Sequence, residues 1–239
     1  MGATPVVLVH GGGHGAWCWE PMLAHLSGPA IAVDLPPTSM RGGPGRNDVP
    51  AGIDALHLAD FADAVLVAAD GAGFDRFVLV GHSLAGLTIC EVARRAPERV
   101  ARLVFVSALV PPEGASALDA MPPEIIGRVS GGLTEDTIVH MFCNDLDESQ
   151  TRFVLDHVGG DVVQVMVEPV TRLGIPPELS MTYVRLKQDQ ALPPAAQDAS
   201  IAALEAMPGV TVDIVDLDTG HNVMIGHPAE LAAVIDASR

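Results

Sequence analysis

The chain has 239 residues, 49% of them hydrophobic, and a formal net charge of −17. That length suits one sizeable core in a single domain, 1–239, and the acidic balance argues against nucleic-acid binding, because it repels a phosphate backbone. No run approaches the ~20 apolar residues of a membrane span, and the N-terminus has no basic start followed by an apolar stretch, so the expectation is a cytoplasmic protein off the membrane. Cys18, Cys90 and Cys143 show no CxxC spacing and no HExxH run occurs, so neither a disulfide framework, a metal nor a cofactor is implied.

Short apolar runs rich in β-branched residues predict strands at 6–10, 30–34, 77–80, 103–107, 182–186 and 210–215. Helical patterns fall between them at 17–26, 54–69, 84–95 and 228–237, the last opening on His227-Pro228. Continuous apolar strands alternating with helices indicate an α/β fold with a mainly parallel, doubly wound sheet of about six strands. Pro36-Pro37 and Gly42-Gly43-Pro44-Gly45 read as loops. After the fourth strand the rhythm breaks: 109–180 holds Pro111-Pro112, Pro122-Pro123, Gly131-Gly132 and Pro176-Pro177 with amphipathic stretches at 134–142 and 149–158. A structureless loop of that length is improbable, so this interval is read as an inserted helical cap. Ligands of open α/β sheets bind beyond the carboxyl ends of the strands, where such a cap would wall the site. A helical decoration without substrate contact is the other reading.

The most informative stretch is Val78-Leu79-Val80-Gly81-His82-Ser83-Leu84-Ala85-Gly86. A β-branched run ends at a glycine, a serine follows two residues later, and helix formers continue: the layout of a nucleophile elbow. The strained turn crowds the positions two before and two after the serine, occupied here by the small Gly81 and Ala85, the latter where glycine is usual. A plain strand–helix turn with an incidental serine is the competing reading.

A serine hydroxyl needs a base, and histidine suits that work near neutral pH. His221 follows the last strand in Asp218-Thr219-Gly220-His221-Asn222. It meets the chain order serine, acid, histidine, whereas His227 reads as a helix-entry residue and His140 and His157 fall in the cap. The acid is assigned to Asp189, just past the fifth strand. Asp213 and Asp216 lie in or at the end of a strand candidate, and Asp218 is awkwardly close to His221. Charge developing on a substrate oxygen needs N–H donors in place. One is the backbone of Leu84; the other belongs to the loop His10-Gly11-Gly12-Gly13-His14-Gly15, which lacks the spacing of a phosphate cradle.

With these residues in hand, the chain resembles the α/β-hydrolase superfamily. More narrowly, Val7-Leu8-Val9-His10-Gly11-Gly12-Gly13-His14-Gly15-Ala16-Trp17-Cys18-Trp19 resembles the methylesterase and hydroxynitrile lyase family and its bacterial relatives. The resemblance covers nearly the whole chain, and it implies Gly12 N–H as the second oxyanion donor. The S-selective lyases carry a threonine where this chain has Gly11 and a lysine where it has Asn222. The R-selective lyases carry an asparagine at the Gly11 position. Both signatures are missing, and the glycine is similar to the esterases. The resemblance therefore implies a cofactor-free esterase for a small, largely uncharged ester. Lyase chemistry on the same scaffold is the alternative, and a receptor with a retained triad comes third. Candidate pocket residues are Gly11, His82, Met141, Phe142 and Asn222. Trp17 and Trp19 read as core residues rather than substrate-lining ones, and Asp34 matches a structural aspartate of the superfamily.

Overall fold

The computed structural model describes residues 2–37, 53–129, 132–159 and 163–239; the expected glycine-rich loop at 42–45 lies outside them, as does Gly131. Six strands, β1 (Val6–Val9), β2 (Ala30–Val33), β3 (Phe77–His82), β4 (Val100–Val106), β5 (Met181–Leu186) and β6 (Val212–Leu217), form one sheet. Their order is β2-β1-β3-β4-β5-β6, and every pairing is parallel. Strands β1 and β3 are buried at every position, as expected where helices cover both faces.

Side chains alternate across the sheet, and so do the two cores. Val7, Val9, Leu79, Phe105 and Tyr183 face one, with Phe61, Val65, Ile89 and Leu204 packed against them. Val6, Leu8, Val78, Val80, Val104 and Val106 face the other, beneath Trp19, Met22, Leu231 and Ile235. The edge strand β6 is charged instead: Asp213 pairs with Arg102 at 3.2 Å and Asp216 with Arg185 at 2.9 Å. Such charges discourage pairing with a further strand.

Helices follow in chain order: α1 (Glu20–Leu23), α2 (Leu58–Gly71), α3 (Ala85–Arg95), then α4 (Ala117–Ala120), α5 (Pro123–Val129), α6 (Glu135–Phe142), α7 (Glu148–His157) and α8 (Val163–Val167), and finally α9 (Pro194–Glu205), α10 (Val223–Gly226) and α11 (Pro228–Ala237). Five of them, α4 to α8, lie between β4 and β5. Three begin at side-chain caps: Ser116 accepts from Asp119 N–H, Thr134 from Thr137 N–H, and Asp147 from Gln150 N–H.

Several boundaries differ from expectation. The helix expected at 17–26 is a 3₁₀ turn, Ala16–Trp19, followed by the short α1, which Pro21 starts. The helix expected from 54 is a 3₁₀ turn at Ile53–Ala55; α2 begins later, where the Asp60 carboxylate accepts the His57 N–H. The last strand starts at Val212 rather than 210, because the chain is still leaving a turn in which Gly209 takes φ 79°. Helix α9 has no counterpart among the expected helices, because its alanine-rich sequence has little amphipathic contrast; Pro194 fits its first turn.

Candidate active site

Strand β3 runs into α3 through Ser83, held at φ 56°. A left-handed conformation is strained for a residue other than glycine. The turn is anchored on both sides: Ser83 N–H donates to Val106 O at 3.1 Å, and Leu109 N–H donates to Ser83 O at 2.9 Å. It is also crowded. A Cβ on Gly81 would lie 2.8 Å from the Ile89 side chain, and one on Gly86 would meet the carbonyl of Leu109. Ala85 is 2% exposed at the position where glycine was the usual choice. Leu84 stands at the start of α3, where N–H groups have no partner within the helix.

The loop after β1 lies directly against Ser83. A Cβ on Gly11 would fall 2.6 Å from Ser83 Cβ and 2.9 Å from His82 O. His10 sets the loop's orientation: its Nδ1–H donates to Gly11 O at 2.8 Å, and its Nε2 accepts Leu35 N–H at 3.0 Å. Both ring nitrogens are thus used in the neutral form, and burial lowers the pKa of His10. Fixing Gly11 O also fixes the next N–H, because carbonyl and N–H point oppositely across a trans peptide. That N–H belongs to Gly12. His14 donates similarly from Nδ1 to Gly12 O at 2.8 Å. Its pKa falls to about 4, first through burial.

Asp189 and His221 meet where β5 and β6 end. His221 Nδ1–H donates to Asp189 Oδ2 at 2.6 Å, and both side chains are almost fully enclosed. The other carboxylate oxygen, Oδ1, accepts the N–H groups of Ala191 at 2.7 Å and Leu192 at 2.8 Å. Ser107 Oγ–H donates to Oδ2 at 2.6 Å. Neither Asp213 nor Asp216 approaches this cluster; each faces an arginine on the sheet edge. Asp218 faces Lys187 at 3.8 Å.

His82 joins the two halves. Its Nε2–H donates to His221 O at 3.0 Å, and the two rings lie 4.4 Å apart. Burial first, and then the charge of His221, holds the pKa of His82 well below its usual value, so it packs beside His221 as a neutral ring. His82 is therefore enclosed rather than open to the cleft. Asn222 is also fully buried, and its amide has no hydrogen-bond partner among the described residues.

The segment between β4 and β5 reaches the same place. Phe142 stacks on His221 with centroids 5.4 Å apart, while Met141 is buried in the same core as Val106 and Leu186. Trp17 is half-buried, stacked on His14 at 5.2 Å and packed against Phe153 and His157 of α7; Trp19 is fully buried. Gly159 N–H donates to Gly13 O at 2.8 Å. Asn144 Nδ2 donates to Gln188 O at 2.9 Å, and Asp145 Oδ2 accepts Gly220 N–H at 2.5 Å. Asp34 accepts Ala16 N–H at 2.7 Å and so ties β2 to the first loop.

A cleft of about 450 Å³, counting the part open to solvent, lies against the first loop and the start of α3, next to Ser83, while His82, Met141, Phe142, Asn222 and His221 are not among its walls. Gly11, Gly12, His14, Leu84, Phe61 and Val165 are among its walls, and no Asp, Glu, Lys or Arg lines it among the described residues. Nor do the described residues hold three or more His, Cys, Asp or Glu side chains arranged for a metal ion. Sequence reasoning missed Ser107 and the linking role of His10. A glycine-rich loop that opens on histidine was a visible cue for the second.

A parallel sheet with a strained serine after its third strand, an acid after the fifth and a histidine after the last defines the α/β-hydrolase class. The chain belongs to the alpha/beta hydrolase family, whose model matches residues 6–234. It is similar to the rice (Oryza sativa subsp. japonica) protein "Esterase PIR7B", 30% identical over 85% of this chain and 65% of that one. It is 39% identical to the rice (Oryza sativa subsp. indica) "Probable esterase PIR7A" over 47% of this chain and 42% of that one. To "Methylesterase 9" of Arabidopsis thaliana it is 34% identical over 54% and 48%. The chain thus spans from under half to about two thirds of these relatives. Among solved structures, an extracellular alpha/beta-hydrolase from a Paenibacillus species superposes with a TM-score of 0.77 at 18% identity, covering 97% of each chain. Polyneuridine aldehyde esterase does so with 0.76 at 19%, covering 99% and 100%.

Proposed function

We propose that this chain is a serine carboxylesterase that hydrolyses small, largely uncharged carboxylic esters without a cofactor. The observation that carries the reading is the buried 2.6 Å contact between His221 and Asp189, taken together with a serine in the strained conformation of a nucleophile elbow. Ser83 Oγ attacks the ester carbonyl carbon as His221 Nε2 takes its proton. Asp189 holds the imidazole with Nδ1 protonated and stabilises the imidazolium. The tetrahedral oxyanion is received by the N–H groups of Gly12 and Leu84. Collapse breaks the bond to the alkoxy oxygen, which leaves as an alcohol with the proton from His221. Water, deprotonated by His221, then attacks the acyl-serine and releases the acid.

An uncharged substrate fits a cleft whose described walls carry no formally charged side chain. We take 109–180 to be the cap that walls the site; Val165 at the cleft and Phe142 against His221 support that role. The esterase names of the relatives agree with the chemistry. Gly11 adds a steric argument against the lyase alternative, since a threonine or asparagine Cβ there would collide with Ser83 and His82 O in this backbone. No helix among the described residues is long and apolar enough to cross a membrane, and three free, buried cysteines suit a reducing cytoplasm.

The test is hydrolysis of p-nitrophenyl acetate and butyrate by the wild type and Ser83→Ala, with mandelonitrile cleavage assayed alongside. Ester turnover that disappears in the variant, without cyanide release, supports the proposal. Unchanged turnover in Ser83→Ala, or cyanide release in place of ester hydrolysis, overturns it.

A further inference from the structure

Among the described residues only two other than glycine have positive φ: Ser83 at 56° and Ser107 at 39°. The first belongs to the elbow. The second directly follows β4, is fully buried, and has no part in the reaction as written above. Its position is braced from both sides. Ser107 N–H donates to Val184 O of β5 at 2.9 Å, while Val106 O and Leu109 N–H on either side of it bond the backbone of Ser83. A strained turn therefore sits between the strand that leads to Asp189 and the elbow itself.

The hydroxyl has a specific partner. A carboxylate only accepts, so Ser107 Oγ–H is the donor in its 2.6 Å contact with Asp189 Oδ2. That is the same oxygen His221 Nδ1 reaches. Oδ1 is held by two backbone donors, Ala191 and Leu192. Without Ser107, Oδ2 would be held only by His221, the group it has to orient. Among the described residues, Ser107 supplies the one donor at this oxygen that is independent of the imidazole.

Resting on the esterase reading above, we propose that Ser107 is a positioning residue: its hydroxyl pins the Asp189 carboxylate and thereby the direction and tautomer of the His221 ring. The left-handed turn is retained because it delivers that hydroxyl while the neighbouring peptides stay bonded to the elbow and to β5. A hydrogen bond to a charged group has an effect large enough to be read in kinetics when its loss is felt in the transition state.

The experiment compares wild type, Ser83→Ala, Ser107→Ala and Ser107→Gly as full-length chains. Glycine matters because it adopts φ 39° without strain, so its loss of activity cannot come from the backbone. For p-nitrophenyl acetate, kcat should fall about 10- to 100-fold in both Ser107 variants, with KM within about twofold and the thermal midpoint of the glycine variant near that of wild type. The downfield proton resonance of His221 Nδ1–H should shift or broaden in both. A Ser107→Gly enzyme with kcat within twofold of wild type and an unmoved resonance, or a loss confined to KM, overturns the proposal. In that event a dead Ser83→Ala leaves the esterase reading standing. An active Ser83→Ala removes the esterase reading itself.

Discussion

Replacing Asp189 by asparagine is the sharpest test of how the buried pair operates. The carboxylate accepts four hydrogen bonds, two at each oxygen. An asparagine of the same shape has one oxygen and one NH2 group. If its oxygen turned towards His221, the NH2 would face the backbone N–H groups of Ala191 and Leu192, leaving two fixed, buried donors unpaired at about 1–3 kcal/mol each. The oxygen therefore stays with the backbone and the NH2 confronts His221. The imidazole relieves that contact by moving its proton from Nδ1 to Nε2, where it can no longer accept one from Ser83. A base in the wrong tautomer costs about 10⁴-fold in kcat, or about 5.5 kcal/mol of barrier. The fold should lose far less, roughly 1–3 kcal/mol, because the volume is unchanged and the backbone bonds persist. Steady-state kinetics on p-nitrophenyl acetate beside a calorimetric scan separates the two. A variant within tenfold of wild type in kcat would refute the argument, as would one whose lost activity matches the fraction unfolded.

Two further substitutions probe the first loop. Gly11→Thr places a Cβ against Ser83 and His82 O, so kcat/KM for small esters should fall by at least about 100-fold, two decades being about 2.7 kcal/mol; retained activity would show that the loop can move aside. His14, like His10 in the same loop, has a pKa lowered by burial, from 6.5 to about 4. A lowered histidine pKa means the unfolded chain binds the proton more readily, so the stability His14 contributes is full above about 6.5 and is lost as pH falls towards 4. Denaturant titrations at pH 7 and pH 5 should show a smaller drop in stability for His14→Gln than for wild type, and equal drops would contradict the assignment.

The parts legible in the sequence were those written in consecutive residues. The elbow is nine residues long, the glycine loop six, and the strands are short apolar runs, so each was visible in a local window. Asp189 was harder but tractable, because strand order limits which acids can sit at a carboxyl end. Ser107 was not legible. Nothing in Phe105-Val106-Ser107-Ala108 distinguishes it from any serine that closes a strand, and its partner lies 82 residues away. Strand β6 was legible but its bounds were not, since at the edge of the sheet burial no longer enforces the apolar pattern and ion pairs to Arg102 and Arg185 stand in its place.

The grip of Asn144 and Asp145 on Gln188 O and Gly220 N–H bears on how new specificities arise on this scaffold. An insertion that merely roofed a pocket could be traded between relatives like an interchangeable part, changing what is accepted and nothing else. Here two adjacent side chains of the segment between β4 and β5 clamp the loops that carry Asp189 and His221. A transplanted segment without an equivalent pair would loosen the loops of Asp189 and His221 that it holds. Diversification should therefore proceed by point changes on α6 to α8 around a preserved Asn-Asp clasp, and chimaeras that omit the clasp should regain turnover when only those two residues are restored.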